Sequence, residues 1–192
     1  MNYISDSEIK AIVERVMQQS GQSPTPIVGN SLPSSPSNPS EKIIAIGADH
    51  GGFEMKMSLI DYLKELHYGV LDCGTSSKEA VDYPDFALTV AENVAQGKAW
   101  RGIMIDGAGI GSCMVANKVP GVRAAMAYDY ASASNSREHN NANVLTLGAG
   151  LIGINQAKLI VKTWLATEYA GGRHQKRVDK ILQVEKKYLK EG

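Results

Sequence analysis

The residues best suited to chemistry in this sequence form a short run, Asp106-Gly107-Ala108-Gly109-Ile110-Gly111-Ser112, directly after the apolar stretch Ile103-Met104-Ile105. Glycines between a strand and a helix leave backbone amides and a helix N-terminus free to hold an anion. The spacing is unlike a dinucleotide loop, whose G-x-G-x-x-G follows the first strand and precedes an acid by about 20 residues. A Walker loop would need a lysine beside its Ser or Thr, and this one has none. What remains is a cradle for a small anion or a developing oxyanion, with Asp106 at its rim.

Four other stretches carry groups of the same kind. Asp49-His50-Gly51-Gly52 reads either as a helix N-cap with a surface histidine, or as backbone brought close to a ligand that His50 faces. Asp82-Tyr83-Pro84 suits a helix start, since proline fits the first turn. Arg137-Glu138-His139-Asn140-Asn141 packs polar groups at a helix end, where a sheet ligand would sit. Arg173 and Arg177 lie four apart, hence on one helical face; two forked guanidiniums there suit a phosphate, although a solvated face is the commoner explanation.

The elements that must position these groups alternate. Strand patterns fall at Lys42–Ala48, Gly69–Asp72, Gly102–Ile105, Arg123–Ala127 and Val144–Leu147. Helical patterns fall at Phe53–Leu66, Pro84–Gln96, Ile110–Lys118, Tyr130–His139, Ile154–Thr167 and about Arg173 to Leu189. Apolar strands bounded by glycine imply burial on both faces. The expected fold class is therefore α/β: a doubly wound, five-stranded parallel sheet flanked by helices, Rossmann-like, with ligands at the carboxyl ends of the strands.

Composition divides the 192 residues into a short helix at 1–19, a linker at 20–40 and a globular domain at 41–192. The linker holds five of the seven prolines and cannot bury enough apolar surface to fold. Fully extended it would reach up to about 65 Å. Twenty basic and twenty acidic residues cancel, which argues against nucleic acid or anionic lipid as the main partner. No apolar run approaches the ~18 residues of a membrane span. The two cysteines, Cys73 and Cys113, form neither a metal nor a disulfide pattern, which suits a reducing cytosol.

Taken in order, G-A-D-H-G-G, D-Y-P, G-x-G-I-G, A-N-K-V-P-G-V-R, E-H-N-N-A-N-V and G-G-R-H-Q-x-R-V resemble the sugar-phosphate isomerase family of type B ribose-5-phosphate isomerase and the galactose-6-phosphate isomerase subunits. The match runs through about residues 42–182. The resemblance implies a cofactor-free, metal-free aldose–ketose isomerase, with ribose 5-phosphate as the first candidate substrate. It also implies a homodimer or dimer of dimers with shared sites, the C-terminal helix reaching a neighbouring subunit. By the same resemblance His139 opens the sugar ring, and Asp49, Tyr83 and Asn140 hold hydroxyls. The amides of Gly107, Gly109, Ile110, Gly111 and Ser112 would stabilise the enediolate, and His50, Arg173 and Arg177 would bind phosphate.

The sequence departs from the ribose-5-phosphate pattern at the cradle. Asp106 stands where many members carry a cysteine base, Ala108 where they carry a hydroxyl, and Ser112 where others carry a glutamate. Gly150 replaces an arginine common after the fifth strand. The segment I-M-I-D-x-x-G-x-G-x-x-M-V-A is closer to the A-type galactose-6-phosphate subunit, which works beside a different chain. Asp106 is thus expected to replace the thiol as base. The alternative is a catalytically altered sugar-phosphate-binding subunit that needs a partner. Cys113, seven residues past the base position, is expected to point elsewhere.

The first nineteen residues are extra to such a reaction. Ser5 and Glu8 fit a capping box, Ile4 and Ile9 a hydrophobic staple. Ile9, Ile12, Val13, Val16 and Met17 then follow the spacing of one apolar face. Such a helix on a Pro/Ser linker resembles the encapsulation peptides of bacterial microcompartments. Residues 4–17 are therefore expected to dock on a shell protein or other cargo, placing a cytosolic enzyme inside a microcompartment.

Overall fold

The computed structural model describes residues 42–188. The helix expected over 1–19, the linker over 20–40 and Leu189 lie outside the described residues.

Five strands and six helices alternate: β1 Ile43–Ala48, α1 Phe53–Glu65, β2 Gly69–Asp72, α2 Tyr83–Ala95, β3 Arg101–Asp106, α3 Ile110–Ala116, β4 Ala124–Met126, α4 Tyr130–Glu138, β5 Val144–Gly148, α5 Ile154–Ala166 and α6 Gln175–Tyr188. All strand pairs are parallel, in the order β2-β1-β3-β5-β4. The chain winds one way from β1 to β2 and the other way to β3, so the switch point lies between β1 and β3. In open sheets of this kind that crevice is where ligands bind.

Alternation along the strands sorts the core into two layers. Ile44, Ile46, Ile103, Ile105, Leu145 and Leu147 face α1, α4 and α5. Ala45, Met104 and Val144 face α2 and α3. The helices answer with their own periods. In α5, Ala157, Ile160, Val161, Trp164 and Leu165 are buried, an i, i+3, i+4, i+7, i+8 stripe. Each fully buried Ile or Leu contributes about 1.5–3 kcal/mol. The most deeply buried charged side chain is Lys56 in α1, 1% exposed, whose Nζ reaches both Asp72 oxygens at 2.7 and 2.6 Å. That pair ties α1 to the end of β2.

Several boundaries differ from the sequence expectation, each for a local reason. β3 continues through Asp106 because its register against β5 extends to Asp106↔Gly148. α3 stops at Ala116, where the Asn117 side chain accepts from the Ala124 amide instead of continuing the helix. Gly172–His174 form a 3-10 turn before α6. Arg173 therefore lies in that turn and only Arg177 in the α-helix, which corrects the expectation of one shared helical face. Among the described residues no helix is long and apolar enough to cross a membrane.

Candidate active site

At the carboxyl edge of the sheet the loop after β3 folds around its own acid. Asp106 is 4% exposed. Its Oδ1 accepts from the amides of Ala108 (2.8 Å) and Gly109, and its Oδ2 from the Ser112 amide (3.1 Å) and hydroxyl (2.5 Å). Four donors fill the four lone-pair positions of one carboxylate. Gly109, the residue before α3, has φ 78°, a left-handed conformation that glycine adopts without strain. β5 holds the loop from below: Thr146 Oγ1 donates to Gly109 O (2.8 Å), and Ala149 N and Gly150 N donate to the carbonyls of Asp106 (2.8 Å) and Gly107 (2.9 Å).

The neighbouring loops close on this cradle. Asp49 Oδ1 accepts from Gly52 N at 3.0 Å, fixing the turn after β1, and a side chain on Gly51 would lie 3.8 Å from Gly107 N. His50 is exposed, its Nδ1 3.2 Å from both the amide and the carbonyl of Val81. Val81 leads into Tyr83, whose ring lies over Gly111; a Cβ there would come within 2.5 Å of it. Asp49, Tyr83, Asp106 and the amides of 107–112 are thus brought together at the switch point. Cys113 is turned away, its thiol donating to Ala124 O at 3.5 Å, and burial pushes its pKa up. A groove of about 420 Å³ opens nearby between α1 and the β5–α5 loop; of the expected residues, only those of the Asp49–Gly52 loop reach it, through Gly51.

His139 and Asn140 stand away from Asp106 within the chain, at the opposite edge of the sheet from the carboxyl ends where the sequence led them to be expected. α4 runs antiparallel to the strands, so its C-terminus is delivered to their amino edge, just before β5 begins at Val144. β3 spans six residues, so the two edges stand roughly 16 Å apart. There His139 Nδ1 lies 2.8 Å from Asn135 Nδ2, which leaves the mobile proton on Nε2, 3.8 Å from Glu138 Oε1. Its ring is stacked on that of His174, with centroids 4.1 Å apart and planes 8° from parallel. Arg173 Nε donates to His174 Nε2 at 3.3 Å. Arg173, Arg177 and Asn140 are exposed.

Two buried arginines secure this edge. Arg101 Nη1 donates to Trp164 O (2.9 Å) and Leu165 O (3.1 Å), a cation at the C-terminus of α5. Arg137 Nη1 donates to Asn141 Oδ1 (2.9 Å) and Ala142 O (2.5 Å), and its Nε to Thr167 O (3.3 Å). Burial lowers Arg101 to about 9 and Arg137 to about 10, which leaves both charged at neutral pH. Asn135 and His174 were not singled out from the sequence. Asn135 carried a signal, standing four residues before His139 on the same helix. Among the described residues no three His, Cys, Asp or Glu side chains converge as a metal site would require.

A family model described as Ribose/Galactose Isomerase matches residues 44–181. The chain belongs to this family. It is 44% identical to ribose-5-phosphate isomerase B of Escherichia coli over 146 residues, 76% of this chain and 98% of that one. It is 45% identical to a D-erythrulose-4-phosphate isomerase of Pectobacterium atrosepticum over 139 residues, 72% of this chain and 91% of that one. The solved ribose-5-phosphate isomerase B of Clostridium thermocellum superposes with a TM-score of 0.75 at 52% identity, covering 76% of this chain and 99% of the other.

Proposed function

We propose that this chain is a cofactor-free aldose–ketose isomerase of a sugar phosphate, converting ribose 5-phosphate to ribulose 5-phosphate. The observation that carries the reading is the acid-and-amide cradle at the β1/β3 switch point, within a family match that spans residues 44–181. His139, with its proton on Nε2, opens the ring. Asp106 takes the C2 proton and returns it to C1, while the hydroxyl proton passes from O2 to O1. The amides of Gly107 to Ser112 stabilise the enediolate oxygen. Since Asp106 occupies those amides itself, substrate oxygen replaces the carboxylate there and frees it to act. Asp49, Tyr83 and Asn140 hold hydroxyls; His50, Arg173 and Arg177 hold phosphate.

Asp106 and His139 lie on opposite edges of one sheet, so the site is shared between copies in a homodimer or dimer of dimers. Exposed apolar side chains support an interface: Ile110 and Met114 on the cradle helix, Ile181 and Val184 on α6. Assay of the purified full-length protein on ribose 5-phosphate, allose 6-phosphate, galactose 6-phosphate and erythrose 4-phosphate tests the function. Turnover of ribose 5-phosphate is expected. Inactivity on all four would favour a second reading, a sugar-phosphate-binding subunit completed by a different chain. The filled lone pairs of Asp106 favour that reading.

For residues 4–17 we propose a docking helix of the encapsulation-peptide kind, which would carry a cytosolic enzyme into a microcompartment. Supporting it, the family match begins only at residue 44, and the Escherichia coli relative uses 98% of its own length on 76% of this chain. A fusion of residues 1–40 to a fluorescent protein, expressed with shell proteins, should form puncta that Ile12→Glu disperses. Diffuse signal in both would exclude targeting.

A further inference from the structure

His174 is an unusual residue to leave without a role. It is 5% exposed, and its Nδ1 is buried without a hydrogen-bond partner among the described residues. Its Nε2 accepts from Arg173, so the neutral ring carries its proton on Nδ1, a buried donor with no acceptor. Burial lowers its pKa, and the charges of His139, Arg173 and Arg177 act in the same direction against Glu138. The ring is therefore kept neutral, at the cost of an unsatisfied group. Native structures rarely retain such a group without a use for it.

The geometry supplies one. Among the described residues His139 is hydrogen-bonded at one nitrogen, by Asn135, its Nε2 lies 3.8 Å from Glu138 Oε1, and its side chain is about a third exposed. A ring held by a single hydrogen bond still turns about that bond. The parallel face of His174, 4.1 Å away, removes that freedom. The segment that carries His174 is fastened to the same helix end, where Ala170 N donates to Glu138 O at 3.0 Å.

We propose that His174 is a positioning residue: its ring fixes the plane of His139, and its Nε2 holds Arg173 in the orientation that meets phosphate. The mechanistic part rests on the isomerase reading above. The two functions reside in different parts of one side chain, so two substitutions separate them. His174→Phe keeps a flat face and loses the acceptor for Arg173. His174→Gln keeps an acceptor and loses the face.

With the full-length protein and ribose 5-phosphate, His174→Phe should hold kcat within about threefold and raise KM several-fold. His174→Gln should lower kcat by roughly tenfold or more with KM little changed, because misaligning an acid–base group by about an ångström is worth that much. A residue that merely fills space would lower both parameters in both variants alike, and that result overturns the proposal. NMR of the carbon-bound ring protons of His139 reads the stack without turnover. They should stay shielded in the wild type and His174→Phe and move downfield in His174→Gln. If the wild type turns over none of the four sugar phosphates, the isomerase reading fails and this NMR comparison decides the positioning role alone. Unchanged shifts in His174→Gln overturn it.

Discussion

Asp106 is the base of the proposed reaction, and its four hydrogen bonds would give it a second, structural role. In Asp106→Asn one oxygen becomes an NH2, which must face amide donors at Ala108 and Gly109 or at Ser112. Two donors then oppose each other in a buried loop, so stability should fall by about 1–3 kcal/mol as well as proton transfer being lost. Ser112→Ala removes one donor and leaves both carboxylate oxygens on amides; it should cost about 1 kcal/mol and leave kcat within a few-fold. Urea denaturation and steady-state rates on the two variants check this. Retained activity in Asp106→Asn would move the base to another residue. His174 sets a pH dependence of the same sign as a salt-bridged carboxylate, but in a higher pH range. Its pKa is lowered from 6.5 in the fold, so the unfolded chain takes up that proton first as pH falls. Its contribution is full above about pH 6.5 and is lost below it. Thermal midpoints measured downward from about pH 8 should fall less steeply below about pH 6.5 in His174→Phe than in the wild type.

At the scale of elements, the C-terminal segment depends on cations buried where helices end. Arg101 at the start of β3 forks one nitrogen onto two carbonyls of α5 and lies against the rings of Trp100 (3.9 Å) and Trp164 (5.1 Å). Lysine keeps the charge but has neither the planar face nor the fork. Arg101→Lys should therefore lower stability by about 1.5–3 kcal/mol, read as a lower denaturation midpoint with an unchanged m-value. α4 is set at its other end by a capping box: Asp129 accepts from the Ser132 amide at 2.7 Å, and Ser132 Oγ lies 3.2 Å from the Asp129 amide. That cap fixes where α4 begins and so where His139 emerges.

For the whole molecule, the separation of Asp106 from His139 makes a direct prediction. Asp106→Asn and His139→Asn should each be inactive alone. Unfolded together and refolded as a mixture, they should recover about a quarter of wild-type activity, because half the dimers are mixed and each mixed dimer holds one intact site of two. Recovery of nothing, from variants shown to exchange subunits, would place the whole site on one chain. Size-exclusion chromatography of the mixture under native conditions gives the oligomeric state in the same experiment.

The sheet was legible in the sequence because burial on both faces writes continuous apolar strands, and glycine with proline marks their ends. The order of elements, the parallel sheet and the cradle after β3 all follow from that pattern. The lie of Tyr83 over Gly111 was not legible; both residues stand where helices start, at the carboxyl edge, but their contact is set by how the two loops pack. The expected open cradle is instead filled by Asp106 itself, because an Asp side chain can take the amides two and three residues on, a local motif. The edge on which His139 stands follows from one further step: a helix returning to a parallel sheet delivers its C-terminus to the amino ends of the strands, not to the carboxyl ends. Only tertiary structure could decide the rest. The stack of His139 on His174, 35 positions along, and the fork of Arg101 onto Trp164 and Leu165 join elements far apart in the chain. Spacing carries no information about such contacts, because they are set by how the packed layers bring helix ends together.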